Sequence, residues 1–111
     1  MGMLNFKEYQ ELAARTSGAG KDGEQRKVIA ALGLAGEAGE FANLIKKLVA
    51  HGHPISNDKL RDELGDVLWY LAEAATSCNL DLIEIANQNV EKLKARYPDG
   101  FSQEASINRE K

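Results

Sequence analysis

A single cysteine, Cys78, occurs in the 111 residues, so no disulfide can close within the chain. There is no dense Lys/Arg patch, and a formal net charge of −3 gives no footprint for a nucleic-acid backbone. Met1 to Gln10 has no basic segment followed by an apolar run and does not read as a signal peptide. No uninterrupted apolar stretch approaches the roughly 20 residues needed to cross a bilayer. No window alternates apolar and polar residues as a half-buried strand would, and β-branched residues are scattered. These absences set the expectation of a cytoplasmic protein with neither membrane nor nucleic acid as partner.

Helical periodicity is what remains. Hydrophobic residues at 43% and charged residues at 28% are ordinary for one globular domain. Four helices are predicted, over Asn5–Thr16, about Glu24–His51, about Asn57–Ser77, and Asp81 to near Tyr97. The Gly-rich SGAGKDG and the HGHPIS segment break the pattern, and Pro98 and Gly100 end it. The apolar lines are Leu34, Phe41, Ile45 and Leu48, then Leu60, Leu64, Val67, Leu71 and Ala74, then Leu82, Ile85, Ala86 and Leu93. Asn89 falls on the last of these, where an apolar residue is expected. Asp81 and Glu84 have capping-box spacing. The pattern predicts an all-α, four-helix-bundle-like domain over residues 1–102 with a polar tail over 103–111. A chain this short buries a modest core, so completion by oligomerisation is expected.

Two of the helices carry paired acids, Glu37 and Glu40 in GLAGEAGEF and Glu63 and Asp66 in RDELGDVLWY. Each pair is spaced i, i+3 and shares one side of its helix. Glu37 and Glu63 interrupt apolar stripes, while Glu40 and Asp66 lie at the stripe edges. Unpaired carboxylates buried together repel. A hard divalent cation removes the conflict, and all-oxygen ligation suits Mg²⁺ or Mn²⁺. Gly33, Gly36, Gly39 and Gly65 sit inside these helices at about 1 kcal/mol each relative to Ala. They allow either a close helix neighbour or room for a ligand.

LAGEAGE, followed after 22 residues by ELGDVLWYL and later by NVEKLKARYP, resembles the ExxE…ExxD signature of MazG-like nucleotide pyrophosphohydrolases. These are all-α NTP pyrophosphatases related to the dimeric dUTPases, and the resemblance covers roughly Tyr9 to Phe101. It implies Mg²⁺-dependent hydrolysis of a (d)NTP between its α and β phosphates, giving (d)NMP and pyrophosphate. It implies a homodimer or homotetramer with sites near subunit interfaces. By motif match, Glu37, Glu40, Glu63 and Asp66 become metal ligands; as a mechanistic expectation apart from the match, one carboxylate, Glu37 or Glu40, orients or deprotonates the attacking water. Asn89 and Lys92, followed by Arg96 and Tyr97, match the family's substrate-contacting residues on the last helix.

Other residues have plainer readings. Trp69 reads as core or interface, although it or Tyr70 can stack on a base. Tyr9, Gln10 and Thr16 are candidates for base selection. His51 and His53 read as a polar turn, and Cys78 as a small packed residue. A ferritin-like di-metal oxidase would need Glu-x-x-His motifs that the chain lacks. The alternative that remains is a non-catalytic dimerisation or partner-binding module with a structural metal site.

Overall fold

A computed structural model describes residues 2–18 and 23–108 of the chain. It contains five helices and no strand among the described residues: α1 (Phe6–Arg15), α2 (Gly23–Val49), α3 (Asn57–Ser77), α4 (Leu82–Arg96) and α5 (Gln103–Asn108). The all-α expectation is met and the first four helices fall where periodicity places them. The difference is α5, which occupies 103–108 of the expected tail; residues 109–111 lie outside the described residues.

Local chemistry sets the helix ends. Asn5 caps α1, its side chain accepting from the Glu8 amide at 2.8 Å, and Ser56 caps α3 by accepting from the Lys59 amide at 3.1 Å. α3 ends in a Schellman turn: Leu80 N donates to Ala75 O at 2.8 Å and Asn79 N to Thr76 O at 3.0 Å. That turn requires a left-handed residue, and Asn79 supplies it at φ 58°. The Asp81 side chain makes no capping bond. Instead Gln10 of α1 accepts from Leu82 N at 2.7 Å and donates to Leu80 O and Thr76 Oγ1 at 2.9 and 3.0 Å. One glutamine thus satisfies the start of α4 and ties α1 to the α3–α4 turn. Its polar groups are engaged in the fold, not offered to a base.

α2 and α3 form a long antiparallel hairpin. α1 packs on α3 and α4, and α4 leans on α3. The buried apolar residues are small: Ala13, Ala30, Ala72, Ala75 and, as the one large side chain, Leu82. Tyr9 and Trp69 pack on this cluster, and the Trp69 indole donates to Thr16 Oγ1 at 2.8 Å, so Trp69 has the core role expected of it. The radius of gyration is 17.1 Å, against about 13 Å for a compact domain of this length.

α2 explains the difference. Its α3-facing side carries Ala30, Leu34, Glu37 and Phe41, but its opposite side is also apolar. Val28, Leu32, Ala35, Gly39 and Ala42 lie in one exposed row, with Leu32 69% exposed. By length and composition this helix is apolar enough to cross a membrane, which corrects the expectation that no segment is. Its tight packing against α3 and its inward carboxylate are features of a bundle helix.

Candidate metal centre

Three of the four expected acids meet on the α2–α3 seam. Glu37 projects from α2, and Glu63 and Asp66, one turn apart, from α3. One carboxylate oxygen from each lies within 4.8 Å of the other two. Glu63 Oε2 is buried and has no hydrogen-bond partner, while Oε1 is 3.8 Å from the Lys59 ammonium. Glu40, the fourth acid, is exposed and stands outside this group. Its charge still acts on Glu37.

The electrostatics show the strain of this arrangement. The Glu37 carboxyl is pushed above its usual range, first by desolvation, then by a hydrogen bond with Glu63, and then by the charges of Asp66, Glu63 and Glu40. Facing carboxyls can share a proton, and without one they repel. Tyr9 of α1 also faces the group: its phenol is held above its usual range by burial and by the charge of Asp66.

The glycines separate into two kinds. A Cβ at Gly33 would run into the ring of Tyr70, which lies directly over it. At Gly36, Gly39 and Gly65 a Cβ would meet nothing. Close packing within the chain therefore accounts for Gly33 alone.

The expected substrate residues lie on α4. Asn89 and Lys92 share an open depression with Ile85 and Gln88 that no carboxylate of the cluster lines. Asn89 is exposed, so it is not a satisfied core asparagine. Arg96 ends α4, and the Tyr97 ring packs on Phe101 at 5.3 Å. His51 and His53 are exposed with ring centroids 6.1 Å apart, and Cys78 is an exposed cap residue. Sequence reasoning missed Glu73, buried on α3 seven residues past Asp66 and paired with Arg26 of α2. Its signal was a third acid on the same row of the helix.

Residues 25–101, which include both acid motifs, match the MazG nucleotide pyrophosphohydrolase domain. The chain belongs to this family. The Gene 37 protein of Mycobacterium phage L5 is 38% identical to it over 82 residues, covering 70% of this chain and 72% of that protein. No solved structure matches. In this MazG domain α3, α4 and all but the first two residues of α2 lie inside the matched span, while α1, with Tyr9 and Gln10, precedes it. The donor set is suited to a divalent cation: three hard oxygen donors converge, and one is buried without a hydrogen-bond donor.

Proposed function

We propose that the chain is a Mg²⁺-dependent nucleoside triphosphate pyrophosphohydrolase, cutting between the α and β phosphates to release a nucleoside monophosphate and pyrophosphate. The observation that carries this reading is the convergence of Glu37, Glu63 and Asp66 around an unpartnered Glu63 oxygen in a chain of the MazG family. A divalent cation bound there would neutralise phosphate charge and lower the pKa of a coordinated water. Glu63 and Asp66 would hold the cation from α3 and Glu37 would hold it from α2. Glu40, one turn on and exposed, would take a proton from the attacking water or serve as a fourth ligand. Lys92 and Arg96, four residues apart on α4, offer cations to phosphate oxygens, and Asn89 and Tyr97 offer further polar contacts. Wild-type protein with Mg²⁺ should release pyrophosphate and monophosphate in equal amounts from at least one nucleotide of a panel. No release from any of them, or orthophosphate as the product, would contradict the reading.

The outer row of α2 belongs to the same proposal. An exposed, uncharged line of Val28, Leu32, Ala35, Gly39 and Ala42 is a poor surface for a monomer, and its small residues let another helix approach closely. A second copy of the chain is the occupant, since it brings the same self-complementary row. Light scattering should give at least twice the 12.1 kDa of one chain, and Leu32→Lys should lower that mass. A wild-type mass of 12.1 kDa would overturn the assembly.

The raised pKa of Glu37 sets a pH dependence. The metal-free fold holds a proton that the unfolded chain has released. That contribution to stability is complete below the unfolded carboxylate range and is lost as pH rises through the raised value. Mg²⁺ competes with the same proton, so its stabilising effect should grow over the same rise. The Mg²⁺-induced increase in Tm is expected to be larger at about pH 8 than at about pH 5. Equal shifts at the two would contradict the assignment of Glu37.

A further inference from the structure

The α2–α3 seam carries a second constellation beyond the acid cluster. Tyr70, one turn after Asp66, lies over Gly33, one turn before Glu37. The next step along the seam is the pair Arg26–Glu73. Arg26 donates through Nε at 3.1 Å and Nη2 at 2.6 Å, and both bonds land on Glu73 Oε1. Glu73 is only 6% exposed. A carboxylate this buried is costly unless its remaining lone pairs are also satisfied. Both Arg26 bonds leave Oε2 to other partners, and Glu73 lines a recess of about 70 Å³.

That recess has the chemistry of a flat heteroaromatic site. Trp69 and Tyr70 wall it, their rings edge to face at 4.9 Å and 89°, and Ile29 adds an apolar side. Arg26 supplies a donor and Glu73 an acceptor at its polar end. The space, about 70 Å³, admits the edge of a planar ring and not a whole base. Glu73 is seven residues beyond Asp66, about 10 Å along α3. A nucleotide with its phosphates at the cluster and its sugar beside Tyr70 brings its base to this end of the seam.

We propose that the recess is the base subsite and that Arg26 and Glu73 select a base edge bearing an exocyclic amine. Arg26 donates to the ring nitrogen or carbonyl, and Glu73 Oε2 accepts from the amine. Cytosine offers that pair. Uracil and thymine place a carbonyl where the amine would be, setting lone pairs against the Glu73 carboxylate. This inference rests on the pyrophosphohydrolase reading for its substrate class.

The test compares kcat/KM for dCTP and dUTP in the wild-type chain and in Glu73→Gln. The wild-type is expected to favour dCTP by about 10-fold or more. Glu73→Gln, whose amide both donates and accepts, should bring the ratio close to one. A purely structural Glu73 would lower both substrates together, so an unchanged ratio would overturn the proposal, as would a wild-type indifferent to the base. Calorimetry of the wild-type with dCMP and with dUMP in chelator needs neither hydrolysis nor a folded variant. Tighter dCMP binding supports the subsite, and equal binding or none overturns it. Failure of the pyrophosphohydrolase reading would appear separately, as no pyrophosphate from any nucleotide, and the monophosphate comparison still decides the recess.

Discussion

Glu63→Gln is expected to lower pyrophosphate release by about 100-fold or more while raising the melting temperature of the metal-free protein. The two effects have one cause. Glu63 places a buried oxygen with no hydrogen-bond partner against Glu37 and Asp66. In the metal-free state that oxygen is a liability, since no donor reaches it and like charges crowd it. An amide in its place donates a hydrogen bond to Glu37 and removes one of the like charges, so the empty fold gains. The same amide is a poor ligand for a hard cation, so the charge-neutralising centre is lost. Lys59, 3.8 Å from Glu63 Oε1, loses a weak surface pair that contributes little. Thermal melts in chelator and a pyrophosphate assay read the two effects independently. A variant that is destabilised without metal, or that keeps full activity, would remove Glu63 from the centre.

Gly33→Ala should destabilise the protein although alanine is the better helix former. The propensity gain is about 1 kcal/mol. Against it stands a methyl group driven into the Tyr70 ring, which is itself flanked by Trp69. Overpacking of that kind costs about 1–3 kcal/mol, and here the whole ring must move, so the steric term wins. Urea unfolding of Gly33→Ala, Tyr70→Ala and the double variant measures it. The cycle should show strong coupling, with Gly33→Ala stabilising once the ring is gone. A stabilising Gly33→Ala in the wild-type background would contradict the contact.

The acid motifs were legible because helical period alone puts Glu37 and Glu63 on inward faces. Period alone does not separate Glu40 from Asp66, since each lies three residues on from its partner, at a stripe edge and exposed, and only Asp66 joins the cluster. The helix limits were legible from breaks and caps, Ser56 among them. The Gln10 clamp was not, because its three partners lie 66 to 72 residues away and leave no local trace. The pairing of Arg26 with Glu73 is hidden for the same reason, the two being 47 residues apart. The openness of the fold was hidden by α2 itself. One apolar stripe was read on that helix, whereas Val28, Leu32 and Ala35 form a second on its far side, and a helix apolar on two faces needs more than one neighbour. α5 was missed because its six residues carry no apolar period.

Pyrophosphohydrolase chemistry at this seam requires first that the cluster hold a divalent cation. Mn²⁺ added to the metal-free wild-type chain, followed by electron paramagnetic resonance, tests this without substrate, hydrolysis or assembly. Loss of the free-ion six-line signal in proportion to protein, with the signal retained in the presence of Glu63→Gln, is the expected result. An undiminished signal over the wild-type protein would contradict the metal centre and everything proposed from it.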